Sequence, residues 1–435
     1  MTFNGPIGGL IDFAIGGGWG SEVPKENHSR VAVIRGTDIP KVASGEFSTV
    51  PFRYESDKKI LNRILAPGDV VLETAGGSSA NGQYTGRTLL ITQEILDVLG
   101  PTICASFCKK LVLNKDLVSP SYFYLYMQDL YKSGRVASYD SQSTGISNFQ
   151  YEAFVNNELL ELPNLEIQTS VATALSNLQS KINNNSQISK TLEDIAQSIF
   201  KSWFIDFDPV KAKMVGEQPE GMDAATAALF PDSMGESELG LIPKGWKVSN
   251  LDSLSFVRYG APFASKLFNT TKVGLPLIRI RDLKKQSIST WSPEKHAKGF
   301  LVSGGELLVG MDGEFNPTIW FGEDALVNQR ICKIEPKDFV SNFFLYFTLL
   351  PIMRKIEHGS TGSTVIHLGK TDIDAIKVAE PPQKILAEYK SMVEPMLRQM
   401  VSLNIQTRIL QQARDALLPR LISGELQIPE EMLVS

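Results

Sequence analysis

Ile34-Arg35-Gly36-Thr37-Asp38 and Pro67-Gly68-Asp69-Val70-Val71-Leu72 return in the same order as Ile278-Arg279-Ile280-Arg281-Asp282 and Gly304-Gly305-Glu306-Leu307-Leu308-Val309. Working outward, Cys108-Lys109 answers Cys332-Lys333, and Lys115-Asp116-Leu117-Val118-Ser119 answers Lys337-Asp338-Phe339-Val340-Ser341. Tyr124-Leu125-Tyr126 matches Phe344-Leu345-Tyr346, and Ser143-Thr144-Gly145 matches Ser360-Thr361-Gly362. One short match is chance; six in a single order are a duplication. The offset drifts from 244 to 217 residues, as loops of unequal length require. A period of about half the chain makes two like domains, not a solenoid.

Within each copy, apolar β-type runs (Ala32–Ile34 and Val70–Leu72; Leu277–Ile280 and Glu306–Val309) alternate with loops rich in Gly, Ser and Asn. An aromatic amphipathic helix is expected at Ser121–Leu130 and again at Ser341–Lys355. Each copy therefore reads as a mixed α and β unit, and the fold class as α+β. After each comes a different texture. Over Leu165–Trp203, Val171, Leu175, Leu178, Ile182, Leu192, Ile195 and Ile199 recur at helical steps. Over Ile385–Leu421, Tyr389, Met392, Met396, Leu403, Leu410, Leu417 and Leu421 form a comparable stripe. Such a seam must be covered by another helix. An ordinary core helix would satisfy one stripe; two copies, each closing a domain, favour an antiparallel pair. At 1.5 Å per residue the first would reach roughly 60 Å. Asn185 and Ser189 interrupt its seam, a cost in stability that fixes register. Pro395 should start or kink a helix, lacking an N–H and clashing one turn back.

Composition narrows the class. The chain has 435 residues, 43% hydrophobic and 21% charged, ordinary for globular protein and too long for one domain. The longest strongly apolar run, Phe343–Leu350, is far short of the ~20 residues of a membrane span. Three cysteines cannot build a disulfide framework, and four scattered histidines show no zinc spacing. A protein of a reducing compartment, cytoplasmic, is the expectation. The net charge of −5 is concentrated in residues 206–244, where eight acids face three lysines, and the remainder holds 40 charges of each sign. Residues 245–377 carry 17 basic and 13 acidic side chains; residues 1–160 carry 14 and 16. Acidity in a connector does not repel a polyanion from a distant face.

Catalytic patterns fail one by one. Asn316-Pro317-Thr318-Ile319 lacks the second proline and aromatic of an amino-methyltransferase turn. The glycine-rich Gly76–Thr88 lacks phosphate-loop spacing and a Lys before its Thr, and Gly16-Gly17-Gly18-Trp19-Gly20 is weak for the same reason. No serine sits in a nucleophile elbow, and no paired carboxylates with a lysine suggest a nuclease. The chain reads as a recognition or scaffold protein.

With the repeat and helices in hand, the chain resembles the DNA-specificity subunits of type I restriction–modification systems. The resemblance is carried by Asp194-Ile195-Ala196-Gln197-Ser198-Ile199-Phe200-Lys201-Ser202-Trp203-Phe204-Ile205-Asp206-Phe207-Asp208-Pro209-Val210-Lys211-Ala212-Lys213, by Leu229-Phe230-Pro231-Asp232, and by Leu239-Gly240-Leu241-Ile242-Pro243-Lys244-Gly245-Trp246. The loop Gly359–Thr364 and the ending Leu417-Leu418-Pro419-Arg420-Leu421-Ile422-Ser423-Gly424-Glu425-Leu426 complete it. It implies a pseudo-twofold molecule: target-recognition domains at 1–160 and 245–378, a central helix at 161–205, an acidic linker at 206–244, a C-terminal helix at 379–425 and a tail at 426–435. The helices would form an antiparallel coiled coil. Pro-Lys-Gly-Trp precedes only the second domain, so the first, beginning within a few residues of Met1, is expected to have an incomplete or differently built outer edge. The resemblance also implies double-stranded DNA, two methyltransferase subunits and restriction–translocase subunits as partners. AdoMet, ATP and Mg²⁺ would belong to those partners, with no cofactor or metal and no catalysis in this chain.

Base reading needs directional donors and acceptors on loops held by a rigid frame. The candidates are Arg35, Ser78, Ser79, Asn81, Gln83, Tyr84 and Arg87 in the first copy, and Arg279, Arg281, Asn316, Gln329 and Arg330 in the second. For each, simple solvation is the competing reading. Repeated residues such as Arg35 and Arg279 suit phosphate contact or an internal ion pair, because two unlike half-sites need unlike readers. Two further readings stay open: an assembly scaffold that binds no DNA, and an enzyme with an unrecognised nuclease centre.

Overall fold

The computed structural model describes residues 2–76, 84–143, 146–359 and 367–429. They fall into two compact units, residues 1–183 with 410–435, and residues 184–409.

In unit 1, β2 (Ile11–Gly16), β8 (Cys108–Leu113), β5 (Val70–Glu73) and β6 (Thr88–Leu90) lie side by side in that order, all antiparallel. A second sheet runs β4 (Phe52–Ser56), β3 (His28–Ile34), β7 (Thr102–Cys104), with β3 and β7 parallel. An edge pair joins β1 (Phe3–Pro6) to β11 (Leu159–Leu162), and β9 (Asp140–Ser143) forms a hairpin with β10 (Ile146–Phe149). The run Val70-Val71-Leu72 is apolar throughout because alternate side chains enter different cores. Val70 and Leu72 face a cluster with Leu111, Phe123 and Met127 on the helix α4 (Pro120–Lys132). Val71 faces another with Ala32 and Ile34, closed by α1 (Ile39–Ala43) and α3 (Gln93–Leu99). α2 (Asp57–Arg63) follows β4, and α5 (Tyr151–Asn157) precedes β11.

Unit 2 repeats this wiring. Its first sheet runs β15 (Ser255–Tyr259), β22 (Ile331–Pro336), β19 (Leu307–Gly310), β20 (Pro317–Ile319), again antiparallel. Its second runs β17 (Trp291–Ser292), β16 (Leu275–Ile278), β21 (Ala325–Val327), β18 (Leu301–Val302), with β16 and β21 parallel. Leu307 and Val309 face one core and Leu308 another, as in unit 1. The edge pair β14 (Lys247–Asn250) and β23 (Lys377–Glu380) corresponds to β1 and β11. The outer edge of the first copy is therefore paired like that of the second. What differs is the hairpin β12 (Met234–Ser237) and β13 (Gly240–Pro243), without a counterpart among the described residues of unit 1. Gly17 and Gly260 occupy matching places, donating to the Cys108 and Ile331 carbonyls. A Cβ on Gly17 would lie 2.2 Å from the Ala105 carbonyl oxygen, and one on Gly260 would lie 2.1 Å from that of Asn328. In the glycine-rich Gly16–Gly20, Gly17, Gly18 and Gly20 allow close packing here.

The ladders correct one register. Val71 opposes Lys110 and Leu308 opposes Lys333, so Lys110, not Lys109, corresponds to Lys333, and Cys108 to Ile331. A one-residue slip sends each side chain to the other face. Both lysines are nearly buried, 9% and 8% exposed, and pair with the acid that opens the central strand: Asp69 at 3.1 Å, Glu306 at 2.6 Å.

The two long helices are α6 (Leu165–Phe204) and, last in the chain, α12 (Gln383–Ile422). In unit 1, Arg414 donates to Gln179 at 2.6 Å, and Val171 and Leu175 share a core with Leu418 and Leu421. In unit 2, the Tyr389 hydroxyl donates to the Ala196 carbonyl at 3.1 Å, beside Phe200, Trp203 and Phe204. As residue number rises along α6, that of its partner on α12 falls, so the helices are antiparallel. Asn185 is fully buried, with neither side-chain polar atom paired among the described residues. Three expectations change. Pro395 does not start a helix: α12 runs through it, with Tyr389, Val393 and Leu397 buried on either side. Ile195 and Met392, assigned to the seam, are 41% and 37% exposed; Ala196 and Val393 are buried instead. Residues 206–244, read as an exposed connector, form α7 (Asp208–Met214), α8 (Ala224–Ala228) and the β12–β13 hairpin. Their acids lie on the surface, while Val210, Ala227, Phe230 and Ile242 are buried. Spaced apolar residues among the acids outweigh the composition. α9 (Ile280–Leu283), α10 (Asn342–Gly359) and α11 (Lys370–Asp374) complete unit 2, and no helix of the described residues is long and apolar enough to cross a membrane.

Candidate nucleic-acid interface

The repeated Arg-x-x-Asp stretch is a turn closed by its own acid. In unit 1 the Arg35 amide donates to Asp38 at 3.0 Å, and the Asp38 amide returns a bond to the Arg35 carbonyl at 2.9 Å. In unit 2 the Arg279 amide donates to Asp282 at 2.9 Å, with the return bond at 2.8 Å. Thr49 donates to Asp38, and Ser289 to Asp282. The arginine side chains then diverge. Arg35 forks onto Asp38 at 2.7 and 2.9 Å and donates to the Thr49 carbonyl. Burial pushes the Asp38 carboxyl up, but the bonds from Arg35 and Thr49 outweigh it and hold the group below its usual range. Arg279 instead lies 5.7 Å over the Phe268 ring.

Beside the unit 1 turn, Arg87 forks onto Glu73 at 2.8 and 2.6 Å, and Glu73 is 1% exposed. The Glu73 bond raises the Arg87 pKa, so this cation is fixed. Arg35, Gly36 and Glu73, with the exposed rings of Trp19 and Phe107, line a cleft of about 580 Å³ that reaches Gly76. Arg35 thus lines this cleft while Arg87 is tied to it only through Glu73, and each arginine is held by a carboxylate. Tyr84 is half-buried, its carbonyl accepting from the Tyr131 hydroxyl at 3.1 Å. Ser78, Ser79, Asn81 and Gln83 lie outside the described residues, as do Thr144-Gly145 and Ser360-Thr361-Gly362.

In unit 2, Gln329 and Arg330 are exposed on the turn between β21 and β22. Arg330 reaches Asp312 at 3.1 Å, and His367 meets the other oxygen of Asp312 at 2.7 Å. One carboxylate therefore ties together the β19–β20 turn, the β21–β22 turn and the approach to α11. Asn316, half-buried, is on the first of these, its carbonyl accepting from the Thr318 hydroxyl. Arg281 is exposed, 3.5 Å from the Ser289 hydroxyl. Arg279 and Arg281 share one turn; Arg330 belongs to the Asp312 cluster. Glu73, Asp312 and His367 were not singled out from sequence. Glu73 alone had a signal, an acid ending an apolar run whose mates are all buried. The three cysteines are buried and free, and burial pushes the Cys104 and Cys332 thiols up to about 12.

Residues 243–406 match the family model described as type I restriction modification DNA specificity domain. The specificity subunit of the type I restriction enzyme EcoBI from Escherichia coli is 36% identical over 193 residues, 42% of this chain and 40% of that relative. The HindI specificity subunit of Haemophilus influenzae is 26% identical over 366 residues, 72% of this chain and 79% of the relative. The crystal structure of a type I restriction-modification S subunit from M. genitalium has the same fold. Its TM-score is 0.59 at 13% identity, over 97% of this chain and 96% of that one. The chain is thus similar to type I restriction–modification specificity subunits, through a domain match in its second half and relatives that span both halves.

Proposed function

We propose that the chain is the sequence-reading subunit of a type I complex, with each unit contacting one half of a bipartite double-stranded DNA target. The carrying observation is the pair of like-wired units whose frames agree while their exposed loops differ. A shared frame with Asp38 and Asp282 turns places the loops alike; unlike loops suit unlike half-sites. Arg35 and Arg87 serve as frame or phosphate contacts, while Gln329, Arg330, Asn316 and Arg281 are the readers offered to base edges. Ser78, Ser79, Asn81, Gln83 and Tyr84 remain proposed readers of the first half-site. α6 and α12 set the spacer between half-sites, as the geometry of any twofold reader must. The exposed Ile188, Ile195, Met392, Ile405 and Ile409 supply apolar surface for two methyltransferase subunits. Methyl transfer, and cleavage by restriction subunits, with AdoMet, ATP and Mg²⁺, belong to those partners in the cytoplasm, and this chain catalyses neither.

Mapping methylated positions across the source genome, with and without this gene, tests the reading. A bipartite motif should vanish with the gene. Deleting one turn of α6 should change the spacer and leave both half-sites intact; an unchanged spacer refutes the ruler. A chain acting only as scaffold would leave complexes with no sequence-selective, salt-dependent DNA binding.

A further inference from the structure

The two units differ in how their cations are used. Residues 258–298, from the last turn of β15 past β17, hold nine Lys and Arg and two acids. Both acids are turned to the backbone. Asp282, buried, takes the Arg279 amide, and Glu294 takes the Ala264 amide at 2.7 Å. Among the described residues none of the nine cations is in an ion pair. Lys272, Lys284, Lys285, Lys295 and Lys298 are exposed. Arg258 and Lys272 rest 4.1 and 5.7 Å from the centres of the Phe300 and Trp291 rings, which hold the side chains without neutralising them. The matching stretch of unit 1, residues 16–63, holds eight cations and six acids. Four of those cations are spent internally, in the pairs Arg35–Asp38, Lys41–Glu46, Arg53–Glu22 and Lys59–Glu55. The other four, Lys25, Arg30, Lys58 and Arg63, share the stretch with two further acids, Glu26 and Asp57, that offset half of their charge.

We infer that unit 2 carries the sequence-independent grip on the DNA backbone, through the exposed lysines of the 258–298 surface, and that unit 1 adds selectivity with little phosphate attraction. This rests on the DNA-reading role proposed above. A phosphate recruits a cation that has no competing carboxylate, and each contact formed releases condensed counterions. Desolvating an already paired cation gains far less.

The test measures binding of the full chain to a 30-base-pair duplex of random sequence across a salt series. The variants are Lys272→Gln/Lys284→Gln/Lys285→Gln and, for unit 1, Lys25→Gln/Arg30→Gln/Lys58→Gln. All six positions are exposed, and circular dichroism checks that each variant folds. The slope of log K against log salt should become shallower by about 0.9 for every contact removed, so by about 2 or more in the unit 2 variant. The unit 1 variant should change it by less than about 0.9. Equal changes, or an unchanged slope in the unit 2 variant, overturn the inference while leaving selective recognition intact. A wild-type chain with no DNA binding at any salt overturns the DNA-reading role as well.

Discussion

Behind the same acid-closed turn, the two units pack opposite partners. In unit 1 Gly36 lies against Glu73; in unit 2 the ladder places Gly310 where Glu73 stands, and Ile280 follows Arg279 as Gly36 follows Arg35. A Cβ on Gly36 would sit 2.4 Å from a Glu73 oxygen, and one on Gly310 would sit 3.0 Å from the Ile280 side chain. Small and large have exchanged places. One unit therefore has a buried Glu73–Arg87 pair under its cleft and the other an aliphatic plug. The lesson is that duplication preserved wiring and turn geometry while the layer beneath each turn was free to change its chemistry.

The largest test of that contrast is Arg87→Met. It leaves Glu73 buried and without its ion-pair partner, which costs about 3–5 kcal/mol. Hydrogen exchange should accelerate in β5 and β8 and stay unchanged in β19 and β22; equal loosening would break the contrast. Gly36→Ala comes next, at about 1–3 kcal/mol from overpacking against a glutamate that Arg87 holds in place. Denaturant unfolding followed by exchange in β3 would register it, and no loss would mean the cleft floor yields freely. Smaller still, Gln329→Ala or Arg330→Ala should weaken binding to one half-site by about 1–3 kcal/mol and spare the other. A drop equal for all sequences would move these residues to phosphate contact.

The last is a pH effect confined to unit 1. The folded-state pKa of Asp38 is depressed, so its contribution is complete above the usual carboxylate range and is lost as pH falls through the lowered folded value. Asp38→Asn should lower stability at neutral pH and flatten the acid side of the profile, read by thermal melts across pH 2–7. An unaltered acid limb would show the turn to be held by its backbone bonds alone.

Much of the frame was legible. The apolar runs, both aromatic helices and both long helices lie where their periodicity puts them, because burial of alternate or helical faces writes itself into spacing. The register around Cys332 was misread because two adjacent identical residue types, Lys109 and Lys110, align equally well by eye; only the ladder says which faces the core. The connector was misread because its buried residues are few and scattered among acids. The site was legible as a set of polar loops and no further. Arg35 and Arg87 could be nominated, but their commitment to Asp38 and Glu73 depends on which strands lie side by side.

By itself the amino-acid order determined that this protein is a duplication of a mixed α and β unit punctuated by two long helices. Those properties are periodic, and periodicity is local. Tertiary structure alone decided which cations are neutralised and which stand free. An ion pair between residues 14 positions apart, such as Glu73–Arg87, is set by strand pairing and burial, as is the hydrogen bond that Ser29 donates to Asp57 across 28 positions. The free energy of a charge depends on what surrounds it in space.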